Sequence, residues 1–355
     1  MSIVYGLHTW SAEGEIMLVE RFSRVKIEKW TLFFAGAVFL SALAFFAYLG
    51  SFSRFWADDY CYSAIMKQSG WLRGIVVYYL TTGNRFSTIA TVGLIDLFGP
   101  RSLSFLPMLL LAFWVWAWFY FLFQICQLFS WSIPKPWLFF VALLQVYFVT
   151  LLTPSRLQVI YWRLGILHYS FPLPLLLLQL GWFAGYFRRT FCTRTPALDT
   201  QGEKPLPVSR PAVLVLLVST LGSFYAAGQS ETPAFMQAGI YGMILLACLL
   251  FLKGSRRVFT VWLMAASLLG TLLAVLIIFN SPFNATRLHD MPVPQNLLLI
   301  IPYSFRYVFE FFFYSIRGQL VPYLVFFVTN VAVFFLILNK ARLSFPYRAI
   351  GAGFF

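Results

Sequence analysis

The sequence predicts an all-α fold, a polytopic transmembrane helical bundle with about eight spans, up to about ten, and interfacial helices in its outer loops. Three observations predict it. Of 355 residues, 60% are hydrophobic and only 11% charged, against about 25% charged in an ordinary soluble domain. Apolar runs long enough to span recur along the chain, and basic residues gather in every second loop between them. This composition excludes a soluble enzyme, a disordered chain and a disulfide-stapled secreted module.

Eight segments read as spans: 30–50, 103–125, 137–152, 171–187, 212–228, 235–252, 258–280 and 320–338. Arg21, Arg24, Lys26 and Lys29 precede the first. The loop 188–211 carries Arg188, Arg189, Arg194, Lys204 and Arg210, the next short loop Lys253, Arg256 and Arg257, and Lys340 and Arg342 follow the last span. Alternating crossings put all these clusters on the cytoplasmic side, as the positive-inside rule requires. The same rule accounts for the formal charge of +14 without nucleic acid, since no basic cluster is interleaved with a stacking platform. Residues 1–29 are then a cytoplasmic segment, read as no cleavable signal because the first apolar run is long enough to span. Residues 30–340 form the transmembrane domain, and 341–355 a tail that is either a natural end or a truncated reading frame.

The outer face receives 51–102, 153–170, 229–234 and 281–319. Segment 71–98 is apolar but broken by Arg73, Gly83-Asn84-Arg85 and Asp96, and reads as one or two helices in the membrane interface. A rival makes 86–98 a short span, about 20 Å of helix against a core of about 30 Å. In 297–317, Tyr303, Arg306, Tyr307, Glu310, Tyr314 and Arg317 form a polar stripe on a helix lying at the headgroups. Arg306 and Glu310, four apart, are placed to pair. The cysteines Cys61, Cys126, Cys192 and Cys248 are scattered and form no Cys-x-x-Cys pair, so no metal knuckle or redox motif is expected.

Chemistry-bearing residues fall on this outer side. Asp58 and Asp59 follow the first span among aromatics. A desolvated carboxylate with a like neighbour has a raised pKa and suits a general base, and a pair of carboxylates also suits a divalent cation such as Mg or Mn. The plain alternative is a helix N-cap. Tyr161, Trp162, His168 and Tyr169 offer stacking and hydrogen-bonding groups in the next outer loop, or simply an aromatic belt. Glu231, in Gln229-Ser-Glu-Thr-Pro233, sits between two spans with almost no loop, where a carboxylate must be paired or functional; it is placed to join Asp58 or Asp59 around a cation. Arg287 follows the seventh span at phosphate depth, with a fork of donors suited to phosphate, or is simply an interfacial anchor. Asn284-Ala-Thr286 matches a glycosylation sequon. Together these residues suggest an outward cavity for a cationic or phosphate-bearing, sugar-like ligand.

The motifs Ala57-Asp58-Asp59-Tyr60, Gly83-Asn84-Arg85-Phe86-Ser87, Tyr161-Trp162-x-x-Gly165-x-x-x-Tyr169, Ser230-Glu231-Thr232 and Ser281-Pro282-x-Asn284-Ala285-x-Arg287 resemble the GT-C superfamily of integral-membrane glycosyltransferases, in particular bacterial members related to O-antigen glucosyltransferases. Phe283 stands where the pattern often has Gly, so this turn must avoid positive φ. The resemblance implies sugar transfer from a polyprenyl-phosphate donor to a glycan, lipid or protein acceptor, at the outer face of a bacterial inner membrane. It implies that Asp58 or Asp59 is the base, with Asp59 preferred. It gives the donor phosphate to Arg287 with Arg85 in support, and the sugar or acceptor site to Tyr60, Trp162, His168, Tyr169 and Glu231. No nucleotide-binding loop is needed, and no Gly-x-x-x-x-Gly-Lys is present. A transporter or flippase of a lipid-linked or anionic substrate is the rival class. Transporters place charges within spans and show inverted repeats, whereas here the candidates cluster on one side.

Overall fold

A computed structural model describes residues 10–192, 210–252, 255–289 and 297–340. Its elements are helical, with no strand among the described residues. Helix α1 (Trp10–Gly50) is followed by three short helices, α2 (Asp59–Ser69), α3 (Trp71–Thr81) and α4 (Phe86–Asp96). Two long antiparallel helices come next, α5 (Ser102–Leu128) and α6 (Lys135–Leu152). A π-helical turn (Leu157–Tyr161), the one-turn α7 (Arg163–Gly165) and a second π-helical turn (Ile166–Ser170) lead into α8 (Pro172–Cys192). Then come α9 (Arg210–Ala227), α10 (Glu231–Phe251), α11 (Ser255–Phe279), α12 (Phe283–His289), α13 (Ile300–Gly318) and α14 (Leu320–Lys340).

Seven described helices carry stretches long and apolar enough to cross a membrane: Lys29–Gly50, Ser102–Leu128, Lys135–Leu152, Arg163–Arg189, Glu231–Phe251, Val258–Phe279 and Leu320–Ile337. The chain is therefore an integral membrane protein built as a helical bundle. These match seven of the eight expected spans. The eighth, 212–228, forms α9, whose apolar run Ala212–Ala227 rises only about 24 Å. It packs lengthwise on α11 through small residues. Ser219 and Ser267 share a hydrogen bond of 2.5 Å, Thr220 Oγ1 donates to the Ala266 carbonyl at 3.2 Å, and a Cβ at Gly270 would collide with the Thr220 backbone. Close backbone approach at small residues is how helices associate without a hydrophobic driving force. Helix α14 is held to α6 by Gln145 Nε2 donating to Asn330 Oδ1 at 2.5 Å.

The outer segments differ from expectation in two places. Segment 71–98 does form two helices, but α4 does not lie flat on lipid. Ile89 and Val92 are fully buried against Met66, Tyr78, Leu164 and Leu167, because α4 is roofed by α2, α3 and the 157–170 segment. That segment, expected as a loop, is itself folded and buried at Ile160, Leu164, Ile166 and Leu167. Gly165 makes this possible, since a Cβ there would strike the Gln158 carbonyl oxygen. The polar stripe of 297–317 is present on α13, with Arg306 Nε 2.7 Å from Glu310 Oε1. Tyr307, Glu310 and Tyr314 line an open groove of about 670 Å³ between α13 and Pro154. The segments 1–9, most of the basic loop 188–211, and 341–355 lie outside the described residues.

The topology has a direct test. In a cysteine-free background, impermeant maleimide should label Thr232→Cys and Ala285→Cys in intact cells, and Gln201→Cys only after permeabilisation. The reverse pattern would invert the orientation.

Candidate functional site

The first half of the site is a tight turn that follows α1. Ala57 adopts a left-handed backbone, φ 48°, which is uncommon for a residue with a Cβ and tends to mark functional turns. The turn is cross-braced: Asp59 N donates to the Trp56 carbonyl at 3.1 Å, and Trp56 N donates back to Asp59 Oδ2 at 3.0 Å. The Trp162 indole donates to the Trp56 carbonyl at 3.2 Å, and the two indoles meet edge to face at 5.5 Å. Asp59 itself is fully buried. Its other oxygen, Oδ1, accepts from Arg163 Nε at 3.2 Å. Burial pushes the Asp59 carboxyl above its ordinary value, although Arg163 and the Trp56 amide pull it down. Asp58 is different. It is exposed, and although it occupies the N-cap position of α2 it makes no capping hydrogen bond. The cap alternative therefore does not account for its carboxylate.

The second half is an ion-pair cluster assembled from three corners of the chain. Gly83 lets the chain pass against the Tyr78 ring, and Gly228 lets the start of α4 approach the corner before α10. Ser87 N donates to the Gly228 carbonyl at 3.2 Å, and Thr88 Oγ1 to the Gln229 carbonyl at 2.9 Å. These bonds set Asn84 and Arg85 opposite Glu231, an acidic residue in the first turn of α10, where the helix dipole favours it. Asn84 Nδ2 donates to Glu231 Oε1 at 2.9 Å, and Arg85 Nε to Oε2 at 3.0 Å. Burial works against the Arg85 charge, yet Glu231 holds its pKa above the ordinary value. Arg85 also donates to His168 Nδ1 at 3.0 Å. A guanidinium only donates, so the neutral ring carries its proton on Nε2, which is buried and has no partner among the described residues.

The third corner is α12. Phe283 opens this helix, and no positive φ occurs there. Asn284 Nδ2 donates to the carbonyls of Ile278 and Phe279 at 2.7 and 3.0 Å, satisfying the end of α11, while its Oδ1 accepts from Asn84 at 3.1 Å. This use of its side-chain nitrogen explains Asn284 without the sequon. One turn on, Arg287 reaches to 3.7 Å from Glu231 Oε1 and stays half-exposed.

Two tyrosines link the halves. Tyr78 OH donates to Tyr62 OH at 2.9 Å. The Tyr62 hydroxyl feels both Asp58 and Arg85, and Tyr78 feels Arg85 and Glu231. Burial raises the pKa of both phenols.

Among the expected residues, Arg85, His168, Glu231 and Arg287 thus come together, while Asp58 stands apart on the acid turn, where its charge and that of Arg85 both act on the Tyr62 hydroxyl. Asp59, preferred as base, has both of its oxygens taken and its side chain sealed from solvent. Trp162 braces the acid turn rather than standing free to line a sugar site. Tyr60 is exposed with its ring against Phe55, and Tyr169 is exposed beside His168. The expected cation set of Asp58, Asp59 and Glu231 is not assembled. No three His, Cys, Asp or Glu lie close enough to hold a metal among the described residues, since Asp59 belongs to Arg163 and Glu231 to Arg85 and Asn84. Sequence reading missed Arg163 and Ser63, and it named Asp96 and Asn84 without giving them a role at the site. An arginine within an apolar outer segment was the signal for the first.

Comparison with protein families, with curated proteins and with solved structures finds no match.

The sealed Arg163–Asp59 pair and the open Asp58 should respond unequally to mutation. Arg163→Met takes the guanidinium from the buried Asp59 and the partly exposed Asp96 and should lower stability by about 3–5 kcal/mol, whereas Asp58→Asn should stay within about 0.5 kcal/mol. Thermal unfolding in detergent separates them, and equal effects would contradict the assignment.

Proposed function

We propose that the chain is a membrane glycosyltransferase that moves a sugar from a polyprenyl-phosphate donor to a glycan, lipid or protein hydroxyl, on the outer face of a bacterial inner membrane. One observation carries this reading: Arg85 and Arg287 share the single carboxylate of Glu231, while Asp58 is an exposed, uncapped carboxylate at the start of the helix whose Tyr62 bonds Tyr78 beside that cluster. Glu231 is saturated by Arg85 and Asn84. Arg287 is left half-exposed at 3.7 Å, a surplus positive charge able to take a phosphate bidentately. An acid for the attacking hydroxyl and a cation for the leaving phosphate are the two groups this reaction needs. The resemblance of the same residues to GT-C enzymes supports the reading independently of the charge argument.

The reaction follows from these roles. Asp58 takes the proton of the acceptor hydroxyl as its oxygen attacks the anomeric carbon from the face opposite the phosphate. The new carbon–oxygen bond forms while the bond to the phosphate oxygen breaks, and that oxygen keeps the electron pair. Configuration at the anomeric carbon inverts. Arg287, held toward Glu231, meets the charge that develops on the departing phosphate. Arg85 is fixed by Glu231 and His168, so it contributes a field rather than a moving contact. The exposed Tyr169 ring beside His168 is the adjacent group for a sugar face.

In proteoliposomes carrying radiolabelled polyprenyl-phosphate hexoses and a membrane extract as acceptor, native protein should transfer label. Asp58→Asn should lose about 10²–10⁴-fold in turnover. Arg287→Ala should raise the donor KM about ten- to a hundredfold, the worth of one charged hydrogen bond, with less effect on the acceptor. Undiminished transfer by Asp58→Asn would sink the mechanism.

A further inference from the structure

The 163–168 segment grips α4 at both ends. At the C-terminal end, Arg163 NH1 lies 2.6 Å from Asp96 Oδ1, the last residue of the helix. At the N-terminal end, His168 Nδ1 accepts from Arg85, the residue that precedes it. The same Arg163 holds the acid turn: its Nε and NH2 bond Asp59 Oδ1 and the Asp59 carbonyl at 3.2 and 2.8 Å, and NH2 also reaches Ser63 Oγ at 3.0 Å. Its guanidinium lies over the Phe55 ring at 4.9 Å, and none of its side chain is exposed. One buried side chain therefore joins the turn that presents Asp58 to the helix that presents Arg85.

We infer that Arg163 is a positioning residue that sets the spacing between the acid turn and the guanidinium cluster. It touches neither Asp58 nor Arg85 and acts through Asp59 and Asp96. Only a planar fork can meet three partners in fixed directions at once, so a lysine cannot replace it. A left-handed Ala57 persists only where the surroundings over-determine it, and Arg163 together with the Trp56–Trp162 contact supplies that constraint. The spacing claim stands on geometry alone. Its catalytic consequence rests on the transferase reading, where a displacement of about 1 Å costs about 10²-fold.

The test places spin labels at Tyr60→Cys, on the acid turn, and Thr232→Cys, beside Glu231, in a chain freed of its four cysteines, and reads the interspin distance without substrate. The native chain should give one narrow peak. Arg163→Lys should broaden and shift it, and so should the isosteric Asp59→Asn, which serves if the lysine variant does not fold. In the transfer assay the same variants should lose about 10²-fold in turnover while the donor KM holds, and Asp59→Asn should retain more activity than Asp58→Asn. A native peak in both variants overturns the spacing role. A native chain that transfers no sugar overturns the transferase reading instead and leaves the distance result to judge Arg163.

Discussion

A guanidinium withdrawn from water costs several kcal/mol unless every donor finds an acceptor, and Arg163 sits beneath the cap formed by α2, α3 and α4 with its side chain wholly enclosed. The cap is arranged around meeting that demand. Asp59 and Asp96 supply carboxylates, the Asp59 carbonyl and Ser63 supply neutral oxygens, and Phe55 supplies a ring face. These partners come from the end of the first span, from α2 and from the end of α4, so a single residue defines how those elements sit together. With two carboxylates on one guanidinium, burial is only partly offset, consistent with the raised Asp59 pKa.

The electrostatic division of labour follows. The acid turn contains two adjacent aspartates, and the structure gives them opposite environments: one sealed and paired, one exposed and uncapped. The ion-pair cluster contains two arginines with opposite environments as well. Arg85 is locked between Glu231 and His168, while Arg287 is loosely held and open. In each pair the fixed member orients and the open member is available to a ligand. The tyrosine pair Tyr62–Tyr78 fills the space between the halves, and its raised pKa values keep both phenols protonated.

Much of the bundle was legible in the sequence because a membrane span is a long, nearly chargeless run, a signal that local context rarely overrides. The weak case was α9. Its apolar run is short, and only the Ser219–Ser267 and Gly270 contacts with α11 show how it is accommodated. The outer elements were harder. Segments 71–98 and 157–170 look interfacial by composition, yet they are buried by each other, and apolar periodicity cannot distinguish lipid from protein as a neighbour. At the site, residue type was enough to single out Glu231, Arg85 and Arg287. Which of Asp58 and Asp59 is buried was not available from sequence, since it depends on Arg163, about a hundred residues away, closing on one of two identical neighbours.

The central claim, a phosphate-bearing sugar held between Arg287 and Asp58, is tested most directly by a structure of the protein bound to a non-transferable polyprenyl-phosphonate glycoside. The account predicts phosphonate oxygens within hydrogen-bond reach of Arg287, about 2.6–3.2 Å, and the anomeric carbon turned toward Asp58. A headgroup seated at the opposite end of the bundle, or a phosphonate remote from Arg287, would contradict it.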